Sequence, residues 1–329
     1  LILVQNPPTV FVLWLLLIHK LLYRSKLVVD CHNYGYTIAA CSGWALWAVR
    51  LLEFLEIGGM KWCDSILTVS EAMSGDLHGR VGFAMPISCC YDRPVADNIA
   101  KVSRERAREV LLRYVTNHPA TKASGICHNL EGVTWLAAAA VAFRENVHIV
   151  VCSTSYTPDE SIDWVVEASS EAAEAGRRVL LVITGKGAGR GPIEQLSSRL
   201  TTLNPYLSVA QLFVDYADYH SVLRAADLGV SSHRSSSGLD LPMKVVDMFT
   251  AGIPVLSYYY PTVGEQIDFK HTYQTKRELV QLLKQRLDAR TLDTAHTLDA
   301  AHPSTARDTR TWEEEWRAKV HCVFDELLS

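Results

Sequence analysis

The sequence lacks the features that mark several specialised classes of protein. Its eight cysteines include no C-x-x-C pair, so neither a disulfide framework nor a paired zinc site is expected. No G-x-G-x-x-G motif follows a predicted strand, which disfavours a nicotinamide-dependent oxidoreductase, and there is no D-x-D metal signature. The formal net charge is only −4, so the composition does not indicate nucleic acid as a partner.

The sequence also lacks a hydrophobic run long enough to span a bilayer. Its most apolar window, Val10 to Leu22, is interrupted by His19 and Lys20, whereas a spanning helix needs about 20 apolar residues. Two interpretations stay open: a buried or groove-facing helix, or a face that dips into the membrane beside a lipid substrate. Because Leu1 begins within an apolar stretch without a preceding methionine, we expect the natural N-terminus to be missing.

The chain does contain a repeating alternation of short β-branched runs and helical patterns, which is typical of parallel α/β domains. Its 329 residues suffice for two such domains. We predict seven strands, at Leu1–Gln5, Lys26–Asp30, Ile66–Val69, Val147–Cys152, Val179–Thr184, Leu228–Ser231 and Pro254–Ser257. We predict helices at Trp44–Ile57, Ser161–Ala175, Tyr219–Ala226 and Met243–Thr250.

Changes in composition predict the domain boundaries. Residues 1–94 form a first domain, and residues 95–146 form a linker with a variable insert that includes a basic helical stretch. Residues 147–310 form a second domain, and residues 311–329 a C-terminal helix. The first domain holds only about three predicted strands where a doubly wound domain has about five or six, so we expect it to be incomplete.

Polar segments follow several predicted strands at their carboxyl ends, where ligands bind in open parallel sheets. The first is Gly185-Lys186-Gly187, whose glycines let the backbone approach a phosphate while the lysine adds positive charge. The simpler alternative is an ordinary turn. The second segment ends a strand at His233 and continues into Arg234-Ser235-Ser236-Ser237-Gly238, a donor-rich loop that suits an anionic ligand.

The third segment continues from that loop and predicts a helix whose first turn holds Pro242, with Asp240 or Leu241 at the cap position. The N-terminus of this helix would offer partial positive charge to a diphosphate, reinforced by Lys244. Asp247 lies three residues later on the same face and can accept both hydroxyls of a ribose. The alternative is an ordinary ion pair between Lys244 and Asp247, which leaves the serine run unexplained.

Together these segments resemble the nucleotide-binding half of GT-B glycosyltransferases, and more closely the eukaryotic chitobiosyldiphosphodolichol β-mannosyltransferase family. The similar stretches in the second domain are Ile183–Gly187, Ala226–Val230 and Ser235–Phe249, of which the last is the most specific. Further similar stretches are Gln5–Pro8, Leu27–Tyr36, Ser153–Glu160 and Trp312–Trp316. The resemblance covers most of the chain outside residues 95–146 and 266–308.

The resemblance implies an α/β fold of the GT-B type, with two Rossmann-like domains facing each other across a cleft. It also implies an inverting transfer of mannose from GDP-mannose to dolichol-diphosphate-linked chitobiose, which forms the first β-1,4-linked mannose of the N-glycan precursor. The implied donor-binding residues are Gly185, Lys186, Gly187, His233, Ser236, Ser237, Gly238, Asp240, Lys244, Asp247 and Glu265. After Glu265 the sequence departs from the family, which has an acidic turn and an Asn-Gly there.

An inverting transfer needs a base for the acceptor hydroxyl and stabilisation of the leaving diphosphate. We prefer His32 as the base because the unperturbed pKa of histidine lies near neutrality, with Asp30 to orient it. The alternative is a structural His32 that bonds only a backbone carbonyl. The adjoining acceptor-side loop is Asn33-Tyr34-Gly35-Tyr36.

The resemblance also implies a location and further partners. We expect the cytosolic face of the endoplasmic reticulum membrane, with other mannosyltransferases of the pathway as partners, and the scattered cysteines agree with reduced thiols there. We expect no tightly bound cofactor and no metal site of named ligands, although activity can depend on a divalent cation, Mg²⁺ or Mn²⁺. Two other functions stay open: a GT-B relative with another nucleotide sugar, and an inactive copy that serves as a partner subunit.

Overall fold

The computed structural model describes residues 1–7, 10–93, 102–116, 125–128, 147–288 and 311–328, which form two α/β units. The first unit has a parallel sheet of four strands in the order β1-β2-β3-β4. These strands are Ile2–Asn6 (β1), Leu27–Cys31 (β2), Ser65–Thr68 (β3) and Ile87–Cys89 (β4). The helices of the first unit are Val10–Tyr23 (α1), Gly35–Cys41 (α2), Leu46–Met60 (α3) and Glu71–Val81 (α4).

The second unit is built on a seven-stranded sheet in the order β11-β10-β9-β6-β7-β8-β5, parallel except for β5. Its strands are Gly125–His128 (β5), Val147–Ser153 (β6), Arg178–Thr184 (β7), Leu207–Leu212 (β8), Leu228–Ser231 (β9), Val255–Tyr258 (β10) and Thr272–Tyr273 (β11). Its helices are Arg104–Thr116 (α5), Ile162–Ala172 (α6), Arg190–Leu203 (α7), Tyr216–Ala225 (α8), Met243–Thr250 (α9) and Lys276–Asp288 (α10).

Alternate residues of the central strands pack on opposite faces of each sheet, as expected for strands buried on both sides. In β6, Ile149 and Val151 join one hydrophobic cluster, whereas Val150 and Cys152 join another. The apolar runs that predict these strands therefore also define two core layers. The polar residues at the strands' carboxyl ends are left to line the edge of the sheet.

The C-terminal segment returns to the first unit. It consists of Trp312–Trp316 (α11), a π-helical turn at Arg317–His321 and Cys322–Leu328 (α12). Val320 is fully buried against Val28 of β2 and Leu67 of β3. The chain thus begins and ends in the first unit, and the predicted C-terminal helix packs against that unit's sheet.

All seven predicted strands and all four predicted helices are confirmed, with bounds that differ by a few residues. The predicted GT-B arrangement of two Rossmann-like units is also confirmed. Within the predicted insert 95–146, α5 packs in the core of the second unit and β5 pairs with β8. Residues 94–101, 117–124 and 129–146 lie outside the described residues, as do 289–310.

Candidate functional site

The two units meet along the loops that follow their strands. Ser236, in the serine loop after β9, contacts Asn33 at 3.3 Å and Thr37 at 3.0 Å, both in the first unit. The Ser70 hydroxyl donates to the Leu239 carbonyl at 2.5 Å, which joins the end of β3 to the same loop. The predicted donor loop and the predicted acceptor loop therefore lie side by side.

His233 is fixed between two carboxylates. Its Nδ1 lies 3.1 Å from Asp159 Oδ2 and its Nε2 lies 3.1 Å from Asp240 Oδ2. Burial alone would lower the pKa of His233, but the two carboxylates outweigh it and raise this pKa to about 9. The hydrogen bond from His233 in turn lowers the pKa of Asp159 to about 2. At neutral pH an imidazolium therefore holds the start of the serine loop.

The serine loop bonds to itself in the described structure. Ser235 donates to Asp240 Oδ1 and accepts the Gly238 N–H at 2.7 Å, while Ser237 accepts the Leu239 N–H at 3.1 Å. Gly238 has a φ of +73°, a conformation that favours glycine. The loop is thus a tight turn whose hydroxyls crowd around Asp240.

Helix α9 follows this turn directly. It begins at Met243, and Pro242 occupies the cap position without a side-chain cap. The predicted cap at Asp240 or Leu241 is wrong, because the Asp240 carboxylate is already held by His233 and Ser235. The first backbone N–H groups of α9 therefore lack a capping carboxylate, and the partial positive charge of the helix start is left for a ligand.

Lys244, in the first turn of α9, forms an ion pair with Glu160. Glu160 is buried, and its other oxygen accepts the Thr154 hydroxyl at 2.6 Å and the Ser155 N–H at 2.9 Å. The alternative of a Lys244–Asp247 pair is wrong, since the lysine turns to Glu160. The sequence did not identify Glu160 as a site residue. Its place in the loop after β6 indicates a residue near the sheet edge, but the sequence gives no sign that its partner is Lys244, 84 residues later.

Asp247 lies one turn further along α9 and faces α8. Its Oδ2 accepts the Tyr219 hydroxyl at 3.2 Å, and its Oδ1 lies 3.8 Å from His220 Nε2. The Tyr219 hydroxyl also lies 3.0 Å from the Ser153 hydroxyl at the end of β6. The carboxylate is therefore oriented by a tyrosine at the sheet edge and remains partly exposed, as a ribose ligand requires.

The Gly185-Lys186-Gly187 loop packs against the loop that follows β6. A side chain at Gly185 would lie 1.8 Å from the Thr154 carbonyl oxygen, and one at Gly187 would lie 1.9 Å from the Ser155 carbonyl oxygen. This close approach explains both glycines without a phosphate. Lys186 is exposed, with its ammonium 4.7 Å from the centre of the Phe213 ring. A donor role for this loop stays a prediction.

On the acceptor side, His32 lies between two carboxylates. Its Nε2 is 3.0 Å from Asp30 Oδ2, and its Nδ1 is 3.9 Å from Asp92 Oδ2. Burial lowers the pKa of His32, but Asp30 and then Asp92 outweigh this and hold the pKa above its usual 6.5. The predicted Asp30–His32 contact is confirmed, which sets aside the alternative of a bond only to a backbone carbonyl. Asp92 was missed because it stands 60 residues away.

The loop Asn33-Tyr34-Gly35-Tyr36 is shaped by a buried carboxylate that sequence reasoning did not single out. Glu56 of α3 is fully buried and accepts the Gly35 N–H at 2.8 Å and the Tyr36 N–H at 3.1 Å. It also accepts the Asn6 side-chain amide at 2.6 Å. Glu56 therefore caps α2. Tyr34 is buried, and its hydroxyl donates to Asp76.

Glu265 bridges the two units. Its carboxylate accepts the backbone N–H groups of Glu71, at 3.0 Å, and Ala72, at 2.9 Å, at the start of α4. It also accepts the Tyr91 hydroxyl at 2.9 Å. The sequence places Glu265 on the donor side, and the structure gives its carboxylate three partners in the first unit. A donor contact by this residue stays a prediction.

Comparisons with known proteins bear on this arrangement. A family model described as glycosyl transferases group 1 matches residues 145–284. The chitobiosyldiphosphodolichol β-mannosyltransferase of Arthroderma benhamiae is 34% identical over 78% of this chain and 56% of its own length. That of Candida albicans is 28% identical over 98% of this chain and 68% of its own length. The UDP-glycosyltransferase TURAN of Arabidopsis thaliana is 33% identical over 80% of this chain and 62% of its own length.

Among solved structures, sucrose-phosphate synthase of Thermosynechococcus elongatus aligns with a TM-score of 0.64. The alignment covers 99% of this chain and 73% of that one at 14% identity, which supports the fold alone. The chain spans 56% of the Arthroderma relative, little more than half its length. The two facing α/β units, joined at their strand ends, have the GT-B fold. The sequence matches show that this chain belongs to the chitobiosyldiphosphodolichol β-mannosyltransferase family.

Proposed function

We propose that this chain transfers mannose from GDP-mannose, with inversion, to the terminal sugar of dolichol-diphosphate-linked chitobiose. The observation that carries the proposal is the contact between Ser236, in the loop that leads into α9, and Asn33, the neighbour of His32. This contact brings an anion-binding helix start and a histidine–carboxylate pair to one cleft. The names of relatives at 28% and 34% identity supply the sugar and the acceptor.

In this proposal the donor's diphosphate binds at the start of α9. Uncapped N–H groups and Lys244 supply positive charge there, and this charge stabilises the leaving diphosphate as the sugar departs. Glu160 keeps Lys244 oriented while the site is free of donor. Asp247, oriented by Tyr219, accepts the ribose hydroxyls. The serine loop adds hydroxyl donors once its bonds to Asp240 are exchanged for bonds to the ligand.

His32 accepts the proton of the acceptor hydroxyl in this proposal, and Asp30 stabilises the imidazolium that forms. The hydroxyl oxygen attacks the anomeric carbon from the face opposite the diphosphate, so that one displacement inverts the configuration. The base must be neutral to act, and both carboxylates beside His32 favour its charged form. Transfer is therefore expected to increase as the pH rises through the raised pKa of His32.

The proposal extends to partners that the chemistry requires. A dolichol-linked acceptor places the reaction at a membrane, and we propose the cytosolic face of the endoplasmic reticulum, beside other mannosyltransferases of the pathway. We propose no tightly bound cofactor. A divalent cation, Mg²⁺ or Mn²⁺, would support activity through the diphosphate of the donor rather than through a set of protein ligands.

The test is a transfer assay with the purified chain, GDP-mannose and a lipid-linked diphosphochitobiose. The expected product carries one additional hexose that β-mannosidase removes. His32→Ala should lower kcat/KM by about 10²- to 10⁴-fold, the usual contribution of a general base. Lys244→Ala should raise the donor KM, whereas Lys270→Ala, at an exposed lysine paired with Asp268, should not.

Three results would contradict the proposal. Absence of transfer from GDP-mannose, with transfer from UDP-N-acetylglucosamine instead, would favour a relative with another nucleotide sugar. Transfer from a UDP-sugar is the second candidate function because the Arabidopsis relative is named a UDP-glycosyltransferase. Activity that is unchanged in both His32→Ala and Lys244→Ala would remove these two residues from the chemistry, and absence of all transfer would favour the partner-subunit alternative.

A further inference from the structure

Two neighbouring helices of the first unit, α1 and α3, each carry a row of exposed apolar side chains. Along α1 these side chains recur at intervals of four, three and four residues, and along α3 at intervals of four and three, so each set lies on one side of its helix. Each of these side chains is at least half exposed. We call the following residues the apolar face: Phe11, Leu15, Ile18, Leu22, Trp47, Leu51 and Phe54.

The two helices that carry the apolar face pack side by side. Trp14 of α1 donates from its indole N–H to the Leu55 carbonyl of α3 at 3.1 Å. Lys20 of α1 donates to the Trp62 carbonyl, just beyond α3, at 2.7 Å. Both contacts place α1 against the C-terminal part of α3, so the two helices that carry the exposed apolar side chains are direct neighbours.

The apolar face differs from ordinary exposed hydrophobic residues, which occur singly on soluble proteins. A surface helix normally presents polar residues to water, opposite the stripe that faces the core. In α1 the inward stripe is present, since Val10 and Leu13 are buried, but the outward side is apolar as well. The exposed apolar surface therefore requires something other than water to cover it.

The charges around the apolar face are basic. Arg50 lies within the α3 stripe, between Trp47 and Phe54, and is exposed. Arg24 and Lys61 are exposed near the ends of α1 and α3. The sequence of α1 contains no Asp or Glu at all. This combination of apolar and basic side chains matches the boundary between the acyl chains and the anionic headgroups of a bilayer.

The acidic residues near this surface are already occupied within the described part of the chain. Glu53 of α3 binds Arg80 at 2.8 Å, and Asp64 binds Lys20 at 2.7 Å. Glu56 is buried beneath α2. These pairings remove the carboxylates that would repel anionic lipid, so the positive charge of Arg50 and its neighbours is not cancelled locally.

The apolar face also leads towards the candidate acceptor loop. Helix α2 starts at Gly35 in that loop and ends at Cys41, and the turn that follows exposes Trp44 before α3 begins. The exposed Trp44 thus stands between α2, which begins in the acceptor loop, and α3, which carries part of the apolar face.

We propose that the apolar face docks the first unit on the surface of a bilayer that contains anionic lipids. The inference deepens the proposed function, because it names the surface through which a membrane-held acceptor reaches the cleft. The hydrophobic side chains insert at the level of the headgroups, while Arg50, Arg24 and Lys61 bind lipid phosphates. The docking itself needs neither sugar donor nor acceptor.

Co-sedimentation of the purified chain with vesicles tests this proposal without any sugar substrate. Binding is expected to vesicles of phosphatidylcholine with phosphatidylserine, and to be weaker with phosphatidylcholine alone. Trp47→Glu combined with Phe54→Glu should reduce the bound fraction at least about tenfold, and Arg50→Gln about fivefold on anionic vesicles. Leu203→Glu, at a residue 74% exposed in the second unit, is the matched control and should bind like the unchanged chain.

Equal vesicle binding by the unchanged chain and by the Trp47/Phe54 variant would overturn the proposal. Concentration-dependent dimerisation that the same variant abolishes, without vesicle binding, would instead assign the apolar face to a second copy of this chain. A chain that binds vesicles but transfers no mannose would leave the docking intact and remove the proposed function. The two inferences therefore fail separately.

Discussion

At the scale of single residues, the most informative arrangement is His32 between Asp30 and Asp92. The two carboxylates favour the charged imidazole, whereas a general base must be neutral. In the folded chain the interaction stabilises the protein below the unfolded histidine's pKa of 6.5. This stabilisation is lost as the pH rises through the higher folded pKa. The arrangement therefore favours stability in weak acid and catalysis at higher pH.

Asp30→Asn should move the acidic limb of the kcat/KM profile to lower pH. The change removes the carboxylate at 3.0 Å from His32, so its imidazole loses its proton more easily. The measurement is kcat/KM for mannose transfer across a pH series in both chains. Asp92→Asn serves as the comparison and should move the limb less, because Asp92 lies 3.9 Å away. A limb that stays in place in Asp30→Asn would exclude His32 as the titrating base.

Residue types could be predicted at this scale, but their partners could not. The serine run, Lys244 and the Asp30–His32 pair stand out because their chemistry is unusual for strand ends. The pairing of Lys244 with Glu160 depends on how β6 and α9 meet, and no local spacing encodes that distance. The same limit explains why the predicted helix cap at Asp240 was wrong. Aspartate is a favourable cap residue, but the Asp240 carboxylate is bound to His233 and Ser235 instead.

At the scale of elements, the strands that sequence reasoning missed are short or carry buried polar residues. β8 contains Gln211, which is fully buried and bonds Tyr156 at 3.1 Å and Ser197 at 3.2 Å. A glutamine in an apolar run obscures the periodicity, although its partners make burial tolerable. β11 has two residues and β4 three, too few for any periodicity. Long apolar strands such as β6 and β7 were predictable because burial on both sides leaves little choice of residue.

Helix α4 is held across the boundary between the units, because its N-terminus belongs to the first unit and the Glu265 carboxylate that binds it belongs to the second. Glu265→Ala should free the Glu71 and Ala72 amides and weaken the contact between the units. A cap contributes about 1 kcal/mol, so exchange of these two amides should become about fivefold faster. Hydrogen exchange resolved to single amides measures this directly, and the donor KM should rise in parallel.

The matched control for Glu265 is Glu278, which performs the same task within one unit. Its carboxylate accepts the Gln274 N–H at 2.7 Å and the Thr275 N–H at 3.0 Å at the start of α10. Glu278→Ala should cost similar local stability and leave the donor KM unchanged. If both variants raised the donor KM equally, general destabilisation would be the cause and Glu265 would have no specific role between the units.

At the scale of the whole molecule, the serine loop and Glu265 supply direct polar contacts between the two units in the described part of the chain. A ligand that binds this loop and the start of α9 therefore acts on the relation between the units as well as on its own site. Such a ligand binds only the folded chain and should stabilise it as a whole.

This linkage discriminates between the two candidate donors through thermal unfolding of the whole chain. If GDP-mannose is the donor, GDP should raise the midpoint of thermal unfolding more than UDP does, because a GDP-mannose enzyme binds guanine better than uracil. At a hundredfold excess over Kd, binding contributes about 2.7 kcal/mol, which corresponds to a shift of several degrees. Lys244→Ala should lose most of the GDP increment while Lys270→Ala keeps it. A larger shift with UDP than with GDP would move the chain towards the donor class named for its Arabidopsis relative, with the fold and the cleft unchanged.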